Sequence, residues 1–260
     1  MPRLILLADI HANLSALEAV LADSLSRYGP HTPICQLGDV VDYGPRPNEV
    51  VERLAALGSQ LLVNLAGNHE DILLGRGLER LSSDRGRGAS DWTSRKLRRE
   101  CRDYLRNLAP GFQELTLGPA RLLFVHGDLG DPYWGRMGTE ERGSLSYKNY
   151  DFVISGHSHI PHLDIVPISS EGRQSNLKLK PAFMQDRPYP EANEFHRCVF
   201  INPGSVGQPR DLDPRAHYAV LDLESGRISF EVVPYDIYAE ADFFDSAVDP
   251  YYRRRLFIGI

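Results

Sequence analysis

With 260 residues, 42% of them apolar and 25% charged, the chain has enough apolar material for a full core, as one large α/β domain or two small ones, and one is expected. A net charge of −6 and a pI near 5.8 exclude a general binder of nucleic-acid backbones, which would carry a basic excess over much of its surface. Cys35, Cys101 and Cys198 lie far apart without a Cys-x-x-Cys pair, which argues against a disulfide framework or a thiolate zinc cluster and points to a cytoplasmic protein. The apolar run Leu4 to Ala8 is too short for a signal peptide, and no stretch reaches the roughly twenty apolar residues that span a bilayer, so no membrane association is expected.

Leu4 to Ala8 is apolar without alternation, the pattern of a strand covered on both faces, and a polar turn, Asp9-Ile10-His11-Ala12-Asn13, follows. Leu14, Leu17, Val20, Leu21 and Leu25 then recur at helical spacing, with Asn13 or Ser15 placed to cap and Gly29-Pro30 to stop the helix. Pro33 to Leu37 is a second strand ending in Gly38-Asp39; Pro45 and Pro47 force a loop before a helix near Glu49 to Leu57. Gln60 to Ala66 is a third strand, ending in Gly67-Asn68-His69. Strands that alternate with helices and carry polar residues at their C-terminal ends predict a mainly parallel sheet with its site along that edge.

From Arg76 to Pro110 a helical pattern runs through Trp92, Leu97, Cys101, Tyr104, Leu105 and Leu108, read as a helical cap insertion in a single domain spanning 1–260. Between Arg76 and Arg106, nine Arg and one Lys face five acids, so this stretch is +5 and the remainder −11. It is either a solvated basic face or a rim that attracts polyanions. Phe112 to Leu117 and Arg121 to Val125 form a hairpin across Gly118-Pro119, and the second arm ends in His126-Gly127-Asp128. A loop from Leu129 to Tyr150, with Tyr133, Trp134 and Tyr147, is expected in the pocket wall. Phe152 to Ser155 is a strand ending in Gly156-His157-Ser158-His159, and Leu163 to Ile168 is another. Ser169 to Glu194 reads as a long excursion with one hairpin arm. Val199 to Ile201 leads to Asn202-Pro203-Gly204-Ser205, Tyr218 to Leu223 pairs with Ile228 to Val233 across Glu224-Ser225-Gly226, and Ile237 to Ala247 is a terminal helix. The tail from Tyr251 to Ile260 mixes three Arg with apolar residues and suggests packing or a partner contact.

Asp, Asn and His at successive strand ends are ligands for borderline-hard divalent cations. A carboxylate set between two ions bridges them at roughly 3.5 to 4 Å, and Asp39 is the natural bridge. Asp9 and His11, two apart in an extended segment, point the same way and grip one ion; His157 and His159 share that geometry and can each serve a different ion. Asn68 offers an oxygen without charge, able to meet both metal and substrate. His69 is better used in acid–base work, and Asp42 is placed to hold its other ring nitrogen. Any one of these residues alone is an ordinary structural side chain; five His, two Asp and one Asn in series are not. His31, His162, His196 and His217 fall outside the pattern.

The blocks Asp9-x-His11, Gly38-Asp39-x-x-Asp42, Gly67-Asn68-His69-Glu70, His126-Gly127 and Gly156-His157-x-His159 resemble, in order, the five-block signature of the calcineurin-like metallophosphoesterases. Asn202-Pro203-Gly204-Ser205-Val206 is similar to an element of their small bacterial and archaeal branch. The resemblance implies a four-layer α/β/β/α sandwich with the metals at the sheet edges. It assigns Asp9, His11, Asp39 and His159 to one ion and Asp39, Asn68, His126 and His157 to the other, with His69, held by Asp42, as proton donor or leaving-group stabiliser. Where the protein Ser/Thr phosphatase branch carries Asp-Arg-Gly, with an Arg that grips phosphate, this chain has Asp42-Tyr43-Gly44, and where that branch has a second Gly after His-Gly, Asp128 stands, although Glu70 points toward that branch. Arg76 or an arginine of the cap would then replace the missing guanidinium.

The expected function is hydrolysis of phosphate esters, phosphodiesters or nucleotide-type small molecules, by attack of a hydroxide bridging two divalent ions, Mn²⁺ first and Fe, Zn or Ni as alternatives. A dinucleoside polyphosphate hydrolase or a protein Ser/Thr phosphatase is the runner-up, and a partner-binding scaffold on the same fold is the non-enzyme alternative. Asn68, Asn13, Tyr43 and Arg76 are the expected substrate contacts.

Overall fold

The computed structural model describes residues 3–81, 83–142, 144–168, 177–179, 187–188 and 196–260. The chain opens with β1 (Arg3–Leu7) and α1 (Leu14–Tyr28). Of the two candidate caps it is Asn13 whose side chain accepts the Ala16 N–H at 3.0 Å, and Gly29, at φ +103°, ends the helix with its N–H on Leu25 O. β2 (Ile34–Gln36), α2 (Pro47–Ala55), β3 (Leu61–Ala66) and α3 (Asn68–Leu73) follow. The stretch expected to be helical holds two α-helices, α4 (Asp84–Lys96) and α5 (Arg99–Arg106), separated where Leu97 and Arg98 turn to extended backbone. Then come β4 (Ala109–Pro110), β5 (Phe112–Leu117), β6 (Ala120–Val125), α6 (Thr139–Arg142), β7 (Phe152–Ser155), β8 (His162–Ile168), β9 (Leu177–Leu179), β10 (Arg187–Pro188), β11 (His196–Asn202), β12 (Ala216–Asp222) and β13 (Arg227–Val233). Apart from those short strands, the excursion expected from Ser169 to Glu194 lies outside the described residues.

The terminal helix is shorter than its sequence pattern. α7 (Ile237–Ala241) stops, the Asp245 carboxylate takes the Ala247 N–H in a turn, and α8 (Pro250–Arg255) starts afresh with Pro250 in its first turn and Asp249 capping Tyr251 at 2.8 Å.

The strands form two mixed sheets, ordered β10-β13-β12-β1-β2-β3-β4 and β5-β6-β7-β11-β8-β9. The expected mainly parallel sheet is found only where the motifs are: β1, β2, β3 and β4 run parallel in one sheet, β6, β7 and β11 in the other. The short connections after β5 and β12 can only reverse the chain, so these hairpins add antiparallel strands beside the parallel ones. Leu4, Leu6, Ala8, Cys35 and Leu65 from one sheet pack against Leu122, Phe124, Ile154 and Ile201 from the other, forming the central core. The opposite face of the first sheet is covered by α1, α2 and α5, through Leu17, Val20, Val50, Leu54, Cys101 and Leu105. The opposite face of the second is covered by the chain between β6 and β7, where Tyr147 sits buried against Phe200 with ring centroids 5.3 Å apart. Tyr147, expected in a pocket wall, is a core residue. The α/β class and the two sheets flanked by helices match the sequence expectation, although among the described residues the outer layer on the second sheet carries only α6 and one 3₁₀ turn as helix. No helix among the described residues is long and apolar enough to cross a membrane.

Candidate metal centre

The C-terminal ends of parallel strands from both sheets meet at one place. The turn after β1 places Asp9 and His11, the turn after β2 Asp39 and Asp42, the start of α3 Asn68 and His69, the end of β6 His126, and the turn after β7 His157 and His159. Backbone hydrogen bonds join these turns: Asp9 N–H donates to Gly38 O at 3.1 Å, His11 N–H to Asp39 O at 2.9 Å, and Gly156 N–H to His126 O at 3.0 Å.

Two local expectations are corrected. Asp9 and His11 are not in an extended segment; both have positive φ, 54° and 46°, as do His157 and His159 at 64° and 59°. Among the described residues, every non-glycine with positive φ except Leu212 belongs to these turns. Asp and His enter this region more readily than most side chains, but each such residue still stores strain that the surrounding bonds must hold. Asn68 and His69 are likewise not at a strand end but in the first turn of α3, which explains why neighbouring residues serve different directions.

The ligand atoms fall into two groups that share Asp39. Asp9, His11, Asp39 and His159 each bring one donor atom within 4.8 Å of the others, and so do Asp39, His126 and His157. Asp39 Oδ2 lies 3.7 Å from His11 Nε2 and 3.4 Å from His126 Nε2. Asn68 Oδ1 stands 3.1 Å from His126 Nε2 and 3.0 Å from His157 Nδ1. Three imidazoles are oriented by backbone carbonyls on their Nδ1 side, His11 by Val41 at 3.2 Å, His126 by Leu37 at 2.8 Å and His159 by Gln208 at 2.6 Å. A carbonyl accepts only, so Nδ1 carries a hydrogen and Nε2 is the ring atom that faces the cluster.

Electrostatics favours a cation there. Burial, reinforced by neighbouring cations, holds His11 and His159 well below the ordinary histidine value and His157 at about 3, so these rings are neutral donors. Burial also lifts Asp9 to about 7, with Asp39 adding to the effect. For Asp39, burial is outweighed by His126 and His69, which hold its carboxyl well below the usual range; Asp39 in return lifts His126, against the effect of burial, to about 9. Asp9 Oδ2 is buried without a hydrogen-bond partner among the described residues, and His11 Nε2 faces His159 Nε2 at 3.2 Å, lone pair toward lone pair. Unmatched acceptors converging in a buried pocket, on imidazole, carboxylate and amide, fit divalent metal ions.

The chain has the five motifs in their order, and a family model for the calcineurin-like phosphoesterase superfamily domain matches residues 3–226. The chain belongs to that superfamily. The uncharacterised protein MJ0912 of Methanocaldococcus jannaschii is 32% identical over 256 residues, 97% of this chain and 96% of that one. The crystal structure of a metallophosphoesterase from Sphaerobacter thermophilus superposes with a TM-score of 0.76 at 30% identity, covering 100% of this chain and 99% of that one. The hypothetical protein PH1004 of Pyrococcus horikoshii shares the fold, with a TM-score of 0.76, 22% identity and coverage of 100% and 99%.

Around this calcineurin-like cluster, His69 Nδ1 donates to Asp42 Oδ2 at 2.8 Å, while the other Asp42 oxygen takes Tyr43 N–H at 2.8 Å and the Thr93 hydroxyl at 3.2 Å. Burial opposes charge on His69, but Asp39 and Asp42 outweigh it and raise its pKa. The Tyr43 ring lies 4.8 Å from His11 and 4.3 Å from His69. Asn13, expected as a substrate contact, is buried with its polar atoms engaged: its oxygen caps α1 and its amide donates to Gly207 O and the Tyr235 hydroxyl. Arg76, also expected there, is 61% exposed and paired with Asp71. Most arginines of this stretch are likewise engaged nearby, Arg95 with Asp91, Arg98 with Glu52 and both Arg99 and Arg106 with Asp103, which favours the solvated face over the polyanion rim.

Sequence reading missed three participants. Glu70 is fully buried and accepts Asp39 N–H at 2.9 Å and Gly67 N–H at 2.8 Å on one oxygen and Val41 N–H at 3.1 Å on the other, so it ties the second and third motifs together. Its position three residues after the cap of α3 is the signal that could have found it. Ser205 donates to Asp9 O at 2.7 Å. Arg210, whose N–H meets His159 O at 3.3 Å, carries a guanidinium whose charge bears on Asp9, His11, His157 and His159.

Proposed function

We propose that this chain is a dinuclear metal-dependent phosphoesterase that hydrolyses phosphate esters of small molecules, of phosphodiester or nucleotide type. The observation that carries the reading is the position of Asp39 Oδ2, common to two histidine-rich ligand groups. Asp9, His11, Asp39 and His159 would hold one ion, and Asp39, Asn68, His126 and His157 the other. Two divalent ions supply, when bound, acidification of a water and compensation of charge on phosphoryl oxygens. A donor set of neutral imidazoles, carboxylates and one amide suits Mn²⁺, with Fe, Zn or Ni as substitutes.

The chain's own residues do the rest. Asp42 fixes the His69 ring through Nδ1, leaving Nε2 as the atom that gives a proton to the departing alkoxide, and the raised pKa of His69 supports that protonated role. Asn68 contributes an oxygen without adding negative charge where an anionic ester must approach. Tyr43 covers the edges of His11 and His69 and limits water on that side. Three free, buried cysteines support a reducing, cytoplasmic setting.

The test is metal content per chain together with turnover of the mono- and bis-esters of p-nitrophenol in added Mn²⁺. Two ions per chain and faster turnover of the bis-ester are expected. Faster turnover of the mono-ester refutes the diesterase preference, and no turnover of either ester by a protein that retains no metal refutes the enzyme in favour of a binding scaffold.

A further inference from the structure

The carboxylate that holds His69 is itself held from the helical insertion. Asp42 is fully buried, and its Oδ2 takes the His69 Nδ1–H at 2.8 Å. Its Oδ1 accepts two donors, the Tyr43 N–H at 2.8 Å and the Thr93 hydroxyl at 3.2 Å. The first is local, the backbone of the next residue, and Asp42 and Tyr43 are both left-handed, at φ 74° and 65°. The second comes from α4, 51 residues along the chain, and Thr93 is fully buried too. Among the described residues, His69 and Thr93 make the only side-chain hydrogen bonds to this carboxylate. A helical threonine commonly turns its hydroxyl to a carbonyl of the preceding turn. Here the hydroxyl faces a carboxylate, which accepts only, so its hydrogen is committed to Asp42.

α4 is placed and fastened to bring that hydroxyl in. Its buried positions are Gly86, Ala89, Ser90 and Thr93, a helical stripe of small side chains that lets the helix come close to what it covers. At its start the Ser83 side chain accepts Gly86 N–H at 3.0 Å. At its end the Asn48 amide, from α2, donates to Lys96 O at 2.9 Å while the Asn48 oxygen takes Arg98 N–H at 2.8 Å, which clamps that end to the body of the fold. Ala89, one turn before Thr93, shares an apolar cluster with Tyr252, and Tyr252 stacks on Tyr43 at 4.7 Å with 15° between the rings. The helix thus bears on both left-handed residues of the turn, on Asp42 by a hydrogen bond and on Tyr43 through Tyr252. A buried carboxylate that loses one of three donors, with no solvent to replace it, turns to share the remaining two, and Oδ2 then leaves the line of His69 Nδ1.

We propose that Thr93 is a positioning residue for the proton donor: acting through Asp42, it sets the direction of the His69 ring, so that the helical insertion completes the acid. The inference rests on the phosphoesterase reading for the role of His69, whereas the series Thr93–Asp42–His69 stands on geometry and is testable without turnover. Thr93 acts only through Asp42, and His69 Nε2 remains the atom that meets the departing oxygen.

The test compares the parent chain with Thr93→Val, which keeps the shape and removes the hydroxyl, and with Thr93→Ser, which keeps the hydroxyl. In metal-free protein, proton NMR follows the imidazole Nδ1–H signal that His69→Asn removes. The parent is expected to show it in slow exchange with water, Thr93→Val to speed that exchange about tenfold or more, and Thr93→Ser to restore most of the protection. In Mn-loaded protein, turnover is compared on phenyl and p-nitrophenyl esters of the same phosphate, because phenolate needs the donated proton more than p-nitrophenolate does. Thr93→Val should lower kcat about tenfold or more on the phenyl ester and less than about threefold on the p-nitrophenyl ester, with KM and metal content kept, and Thr93→Ser should recover most of the loss. A parent without the NMR signal, an exchange rate unchanged in Thr93→Val, or an equal fall in kcat on both esters overturns the positioning role, since lost packing alone acts on the two esters alike. Should Thr93→Val not fold, Thr93→Ala decides both comparisons. Absence of turnover on either ester, with the expected change in exchange, refutes the enzyme and leaves the positioning of His69 standing, whereas turnover with exchange unchanged does the reverse.

Discussion

Removing the Glu70 carboxylate should loosen the metal cluster from behind. Its two oxygens satisfy the N–H groups of Asp39, Val41 and Gly67 in a fully buried position, and no solvent is at hand to take over. A buried donor left unmatched costs about 1–3 kcal/mol. In Glu70→Ala three donors lose their acceptor at once, and with some relaxation and water entry the loss of stability should be about 3–5 kcal/mol. Glu70→Gln retains one acceptor oxygen but turns an amide NH₂ toward a backbone donor, so about 1–3 kcal/mol is expected. Part of that is offset because burial, with Asp39 adding to it, has already lifted the Glu70 carboxyl to about 7, so the charge itself is held at a cost. Urea unfolding of metal-free protein measures the stability loss through the midpoint at constant slope. Metal titration measures the second effect, a fall in affinity of about 10- to 100-fold, since Asp39 loses the bond that fixes its backbone. Unchanged unfolding midpoint and metal affinity in Glu70→Ala would refute the buttressing role.

Asp39→Asn should abolish turnover and reduce metal content below two ions per chain; near-normal rate and metal content would remove Asp39 as the shared ligand. His69→Asn should lower kcat by about 10²-fold or more while metal stoichiometry is retained, and Asp42→Asn should lower kcat in the same direction with a displaced pH–rate profile, both measured with a p-nitrophenyl ester. Gly67→Ala has no room, because a Cβ there would lie 2.8 Å from His126 Cε1 and closer still to the Asp39 carboxylate. It should fold with weakened metal binding, as metal analysis after gel filtration will report. Mn²⁺ at about 100 times its dissociation constant should stabilise the protein by about 2.7 kcal/mol, and EDTA should reverse the rise in melting temperature.

Much of the site could be read from sequence because its ligands sit where apolar runs meet Gly, Asp or His. Composition alone delimits β7 at Phe152 to Ser155, and Gly118-Pro119 marks the hairpin of β5 and β6. The failures have local physical causes. α3 is six residues long and begins Asn-His-Glu-Asp, so Ile72 and Leu73 give too little periodicity to announce a helix. The left-handed positions Asp9, His11, His157 and His159 are not glycines, so nothing in composition marks them as left-handed. Arg210 sits in Gln-Pro-Arg-Asp, which has the look of any surface turn; its approach to the cluster is set by backbone pairing with His159, a residue far away in the chain. The arginine-rich stretch stands out by charge count, yet most of its charges are met by carboxylates nearby.

β1 is flanked by β2 on one side and by β12 on the other, and β7 by β6 and β11. As the chain leaves the ribosome, all the metal ligands have emerged by His159, but Ala216–Asp222 and His196–Asn202, which clasp the strands bearing Asp9 and His157, have not. At about 5–20 residues per second, several seconds on the order of synthesis time separate the two events. The ligands are therefore present before the strands bearing Asp9 and His157 are clasped on their second side, and the cluster is fully framed only when the last strands join. Metal capture then falls after synthesis, and the ion acquired is decided by which cations are free in the compartment where folding ends as much as by the donor atoms themselves.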